Sequence, residues 1–359
     1  MTGRERLTAI CHKQPADRLA WTVLVDDATV SHLPVSLRGR HGLDFNQHLG
    51  CDVFLLNGWN TPITFASPRL DWGPGVEERS RNEGNFRIQE LVTPYGTLTM
   101  QTEHEHPVRH WVTSVEEVRL FQRVWEQARF VVEDDTTPHQ QLTDLIGDQG
   151  IYTRYWGPST IPRLLEYDLG MEAFYFLKND YPNEMKALIE TMHAKEMEAF
   201  RILAHASAEV ITLTENTSTY YISPELYREY NGAHVRDYVQ TIKAAGKVAL
   251  VHMCGHVRQL LNQIKQTGLD GAHALTPPQT GDTPWELALD VLGEDTIILG
   301  ALPPDLWAAG PVENIAAALD KIYTPRLRRS HFVLCLFADG ITVPQERFEA
   351  VARWMEKNG

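Results

Sequence analysis

Short apolar runs recur along the chain, each closed by a polar or glycine-containing turn and most followed by a helical pattern. They cover residues 19–25, 51–56, 150–155, 209–213, 247–251, 270–275, 296–300 and 331–336. Runs this short, rich in β-branched residues and apolar on both faces, read as buried strands rather than helices. Between them the apolar spacing changes to the helical period, as at Val257, Leu260, Leu261 and Ile264. Further helices are predicted over 2–12, with Thr2 as N-cap, and over 114–127, 138–147, 161–165, 171–179, 181–206 and 344–357. Ser223-Pro224-Glu225 opens another that runs to Ala245, with an N-cap followed by proline at the first helical position. Strand–helix alternation implies parallel pairing, and about eight such units close into a barrel.

One stretch breaks this rhythm. Residues 61–113 alternate apolar and polar positions, carry Gly and Pro punctuation, and place Tyr95-Gly96 between two strand-like runs. That is a β-hairpin signature. The fold expected is therefore α/β: a single (β/α)8 TIM barrel spanning 1–359, with an antiparallel β-hairpin insertion at 61–113. A doubly wound open sheet is the competitor. It normally carries a glycine-rich phosphate turn after its first strand, and Val25-Asp26-Asp27-Ala28 is not one.

Composition narrows the function classes. The 359 residues are 43% hydrophobic and 22% charged, a globular balance. The formal net charge of −14 argues against binding nucleic acid or anionic membrane. No apolar run is long enough to span a bilayer, and the start of the chain is charged and amphipathic, without a signal-peptide core. A cytoplasmic protein is expected. Its four cysteines, Cys11, Cys51, Cys254 and Cys335, lie far apart and read as reduced thiols.

The chemistry collects at strand ends, where barrel enzymes build their sites. The run at 247–251 stops at His252-Met253-Cys254-Gly255-His256. Tetrahedral zinc takes thiolate, imidazole and carboxylate donors, and a catalytic ion keeps one exchangeable position. His252, Cys254 and Cys335 are the expected protein donors, with Glu215, from the neighbouring strand end, as a fourth that substrate displaces. Such a site lowers the pKa of a bound thiol or polarises a bound ether oxygen. Glu215, His256 and His273 are candidate catalytic groups. Asp26, Asn57, Trp59, Tyr155, Asn216 and Tyr220, also near strand ends, are candidate substrate contacts, and the aromatics among them suit a flat substrate.

Several motifs resemble the uroporphyrinogen decarboxylase superfamily. They are Arg4-Glu5-Arg6-Leu7 with Pro15-Ala16-Asp17-Arg18, Gly157-Pro158-Ser159-Thr160, Ile222-Ser223-Pro224-Glu225-Leu226-Tyr227, and His252-Met253-Cys254-Gly255. The resemblance runs almost end to end and implies one (β/α)8 barrel. Within the superfamily, an H-x-C followed far downstream by a cysteine is similar to the zinc-dependent methyltransferases of corrinoid systems. That branch implies zinc, and a partner corrinoid protein whose cobalamin gives or takes the methyl group.

The chain departs from both branches. The decarboxylases carry an Arg-Gln-Ala-Gly-Arg-type segment after the first strand, where Val25-Asp26-Asp27-Ala28-Thr29 stands here. Their aspartate after the second strand is matched only by Asn57-Gly58-Trp59-Asn60. The cationic grip for a polycarboxylate porphyrinogen is missing. The methyltransferases place their last cysteine in a Gly-Cys-Gly turn, where this chain reads Ala338-Asp339-Gly340. Either Cys335 is the third ligand by a local shift, or Asp339 replaces it, or the site is altered.

The leading expectation is a zinc-dependent methyltransferase moving a methyl group between a small substrate, an aryl methyl ether (O-demethylation) or a thiol, and the cobalamin of a corrinoid protein. The first rival is a metal-free decarboxylase or lyase using Asp26, Asp27, His256 and His273 as acid–base groups. The second is a binding module without chemistry. The oligomeric state is open, a homodimer included.

Overall fold

The computed structural model describes residues 1–359. Eight strands, numbered here in chain order, make up its central sheet: β1 Ala20–Val25, β2 Val53–Leu56, β3 Gly150–Trp156, β4 Val210–Thr214, β5 Val248–His252, β6 Gly271–Leu275, β7 Ile297–Ala301 and β8 Phe332–Ala338. Their spatial order is β1-β8-β7-β6-β5-β4-β3-β2 and every pairing is parallel. A parallel bridge between Thr22 and Asp52 brings β1 beside β2 and closes the ring. The fold is a (β/α)8 barrel, as the alternation predicts, with strand limits shifted by one or two residues.

The apolar runs are buried on both faces, which is why they show no alternation. One packed cluster draws Leu24, Val53, Val210, Leu250, Leu299 and Val333 from six different strands, as the interior of a closed barrel must. Helix Gly3–Cys11 is held by Thr2 in a capping box with Glu5. Ser223 caps the helix that begins at Pro224. That helix continues through a wide π turn at Tyr227–Asn231 before resuming over Gly232–Ala244. Period counting at this resolution does not distinguish the extra residue of a π turn.

The chain gathers into two compact units, one of 1–65, 134–156 and 204–359, which holds the barrel, and one of 66–133 and 157–203. In the second, strands Glu77–Glu83, Phe86–Thr93, Gly96–Glu103 and His106–Arg109 form a four-stranded antiparallel sheet. This is the insertion announced by the alternation. Leu91 and Leu98 pair in register and are both buried, while the whole of Glu77–Glu83 is exposed. A second, two-stranded sheet pairs Arg69–Asp71 with Arg129–Val131. Its strands are three residues long, too short to leave a period. Ser114 caps helix Val115–Gln127, and helices Gly170–Asp180 and Pro182–Ala204 follow. No helix is long and apolar enough to cross a membrane.

Candidate functional site

The loop after β5 is fixed by a close backbone approach. A Cβ on Gly255 would lie 2.5 Å from the Thr217 carbonyl oxygen and 2.5 Å from the Ser218 Cβ. Only glycine fits there. The amide of Thr219 donates to the His256 carbonyl at 2.8 Å, and the amide of Glu215 donates to the His252 carbonyl at 3.2 Å. The loops after β4 and β5 are thereby laced together at the C-terminal mouth of the barrel. Met253 is fully buried and Cys254, one residue on, is exposed.

His252 ends β5 and is partly buried. Its register partner on β6 is His273. The two Nδ1 atoms lie 2.8 Å apart, a hydrogen bond. His273 stacks on Phe54 with 6.0 Å between centroids and meets the Phe337 ring edge-on at 5.5 Å. Tyr155 meets His252 edge-on at 6.5 Å. Burial brings the His252 imidazole down to about 4. Burial, with His252 beside it, brings His273 well below the ordinary histidine range. Both rings are neutral near pH 7.

Glu215, just past β4, is fully buried. Burial, reinforced by the Glu215 charge, pushes the Tyr227 phenol far above its usual range. Thr214, Thr217, Tyr227 and Asn231 bury side-chain polar atoms that have no protein partner. Such a polar lining suits ordered water or the polar end of a ligand. Sequence reasoning passed over Tyr227 and Asn231. The signal was present: four residues apart behind the Ser-Pro start, they share a helix face. It also passed over Phe54, read only as strand core, and Phe337, one residue beyond the eighth run. At the rim, Tyr220 is exposed and lies over His256, with ring centroids 4.1 Å apart and its hydroxyl 3.0 Å from Nε2.

Other expected site residues hold the scaffold. Asp26 caps the helix Asp27–His32 by accepting from the Thr29 amide at 2.7 Å, and it also accepts from the Gly340 amide at 3.1 Å. Burial raises its carboxyl, but these bonds outweigh it and hold it below the usual range. Asn57 accepts from the Tyr155 amide at 2.9 Å and donates to the Tyr155 carbonyl at 3.1 Å. Trp59 donates its indole N–H to the Val25 carbonyl at 3.1 Å. Asn216 takes a left-handed backbone conformation, with φ 44°, and the Tyr221 hydroxyl donates to its carbonyl.

The expected metal set is brought together only in part. His252 and Cys254 fit a soft divalent ion, being an imidazole with one nitrogen outside the histidine pair and an exposed thiol from one strand end. Cys335 does not join them. It is 1% exposed, packed in the barrel core with Val333 and Leu299, and burial pushes its thiol far above the normal range. Its place among apolar side chains keeps it from gathering with His252 and Cys254. No three histidine, cysteine, aspartate or glutamate side chains are gathered closely enough to hold an ion. Glu215, His252 and Cys254 do not make up such a group. Asp339, in the turn after β8, has its carboxyl raised by partial desolvation and by the nearby Asp26. A separate cavity of about 770 Å³ opens beside helix Gly3–Cys11 and the first residues of β3 and β4, away from these groups. That end of a barrel serves stability rather than catalysis.

Comparison with known proteins agrees with this architecture. The chain is 21% identical over 333 residues to a methylcobamide:CoM methyltransferase of Methanosarcina acetivorans, covering 89% of this chain and 88% of the relative. The corresponding Methanosarcina mazei protein matches with the same identity and coverage. A solved methyltransferase from Methanosarcina mazei superposes with a TM-score of 0.60 at 14% identity, over 99% of both chains, and shares the fold. The family model described as uroporphyrinogen decarboxylase (URO-D) matches residues 160–357, more than half of the chain. With its closed parallel barrel and its H-x-C at the end of β5, the chain belongs to the uroporphyrinogen decarboxylase (URO-D) family.

Proposed function

We propose that this protein is a methyltransferase that moves a methyl group between a small substrate and the cobalamin of a partner corrinoid protein. The observation that carries the reading is the pair of donors at the end of β5: His252, with Nδ1 engaged and Nε2 outside that contact, and the exposed Cys254 two residues on. The relatives named methylcobamide:CoM methyltransferase support it.

Zinc is the ion these donors suit, and when bound it supplies a Lewis acid that activates a substrate thiol or ether oxygen. His252 and Cys254 would hold it. Asp339 is the remaining candidate for a third protein donor once Cys335 is set aside. Glu215 is the candidate for moving the substrate's proton, since its buried carboxyl lies one strand away. Tyr155 forms a wall beside His252, and Tyr220 with His256 forms the rim that a small thiol or aryl ether passes. A metal-free lyase is the second reading, favoured by the missing third donor beside His252 and Cys254.

Metal analysis of the full chain, purified without chelator, tests the first reading. The expected result is about one zinc per chain, lost in His252→Ala and in Cys254→Ala and kept in Cys335→Ala. Methyl transfer between free methylcobalamin and a thiol should follow the metal. Zinc near zero in the wild type, or zinc untouched by the first two substitutions, overturns it. Carbon dioxide release from a carboxylated substrate, retained in Cys254→Ser, would establish the lyase instead.

A further inference from the structure

Helix Gly170–Asp180, in the second compact unit, turns Phe174 and Leu177 inward. Its outer face is apolar as well. Met171 and Tyr175 lie one turn apart on it with Phe176 beside them, and Tyr167 and Tyr181 flank the two ends. These five side chains are between 39% and 63% exposed. A surface helix normally gives its outer face to charged and polar residues. Large apolar groups gathered this closely on a surface mark an interaction site.

The face is held in place at its start. Gly170 has a left-handed backbone, φ 75°, and a Cβ there would lie 2.5 Å from Nε2 of His110. His110 donates from Nδ1 to the Tyr167 carbonyl at 2.9 Å. A surface fixed in this way loses little freedom on binding. The four-stranded sheet of the same unit offers no rival route to self-association. One edge strand, Glu77–Glu83, is wholly exposed and rich in charge, and the other, His106–Arg109, is four residues long and contains Pro107. Charge, shortness and proline are what keep sheet edges from pairing.

We propose that a second copy of the chain docks on this face, the two Gly170–Asp180 helices crossing antiparallel about a two-fold axis. A two-fold contact needs a patch that is complementary to itself. Here Met171 of one copy meets Phe176 of the other, twice over, and thioether against ring is a favourable contact. The area is sufficient. Large aromatic side chains carry about 200 Å² each, so five groups at about half exposure give about 500 Å² per copy. The pair then buries about 1,000 Å², the lower end of a specific interface. Each copy has a formal charge of −14, and repulsion between like charges is screened by salt. The dimer is therefore a weak one, and salt tightens it. The contact does not depend on the chemistry at the barrel mouth.

Sedimentation velocity of the full chain over a wide range of concentration, at low and at high salt, tests this. The wild type should pass from monomer to dimer as concentration rises, and at lower concentration in high salt. Met171→Glu and Phe176→Glu each bring a carboxylate to the contact from both copies, and each should raise the dimer Kd at least about tenfold. Both side chains are more than half exposed, so the Tm of the monomer should stay where it was. If a glutamate variant does not fold, Phe176→Ala adds no charge and should weaken the dimer in the same direction. Val35→Glu alters an apolar side chain that is 81% exposed in the other unit, and it should leave the dimer intact. A wild type that is monomeric at every concentration and salt overturns the proposal and leaves the face to a different protein. A dimer that both glutamate variants leave intact, or one that salt dissociates, overturns it as well.

Discussion

Asp52, just before β2, is 1% exposed and sits against two arginines. Arg6, itself 4% exposed, donates to it, and Arg18 reaches it at 3.0 Å. Burial pushes the Asp52 carboxyl up to about 6, against the pull of Arg18 and Arg6. The paired geometry makes the carboxylate the form that holds both cations. Truncating it leaves Arg6 buried with only the half-exposed Asp17 as ionic partner. Asp52→Ala should therefore lower stability by about 2–4 kcal/mol, and Asp17→Ala by less than about 1 kcal/mol, both read by urea unfolding. Near-equal losses would show that Asp52 is not the buried anchor. Cys254 and Cys335 make a similar contrast. Both are thiols on barrel elements, and both were legible as candidate ligands. Strand phase separates them. Cys335 packs into the same core cluster as Val333, two residues before it, whereas Cys254 lies beyond the last residue of β5. A sequence shows the cysteine and not the phase at which its strand meets the others.

At the scale of elements, the turn from β5 is the part of the site best written in the chain. An apolar run that ends in His-Met-Cys-Gly-His marks a strand end, and the glycine marks a close approach. The structure adds what approaches: the backbone of Thr217 and Ser218 in the loop after β4. Gly255→Ala should push the two loops apart, break the Thr219–His256 hydrogen bond and cost about 1–3 kcal/mol. Thermal unfolding and zinc titration should both register the change. A variant with unchanged Tm and unchanged zinc binding would mean the loops relax freely. The helix after β4 was legible from its Ser-Pro start. Its π turn, and the buried Tyr227 and Asn231 that the turn carries, were not, because one extra residue in a turn leaves the apolar period nearly intact. The antiparallel sheet of the second unit was legible for the opposite reason: Phe86-Arg87-Ile88-Gln89 and Thr97-Leu98-Thr99-Met100 alternate apolar and polar positions.

For the whole molecule, an ion held only by the folded chain stabilises it by mass action. Free zinc at about a hundred times its Kd should add about 2.7 kcal/mol. Calorimetry should show Tm rising with zinc in the wild type and staying flat in His252→Ala. A rise in both would place the ion elsewhere. The formal charge of −14 bears on partners of the opposite sign and not on the fold. The barrel itself was set by the chain alone, because eight apolar runs separated by helical spacing leave few ways to bury both faces of each strand. The H-x-C at the end of β5 was set the same way, since it depends only on where a run stops. Closure of the ring decided the rest. It brought His273 within hydrogen-bonding distance of His252, joined Asp26 to the Gly340 amide and Asn57 to the Tyr155 amide, and sealed Cys335 in the core. Those outcomes depend on register between strands far apart in sequence. Register is fixed by packing all eight strands at once, and no local pattern records it.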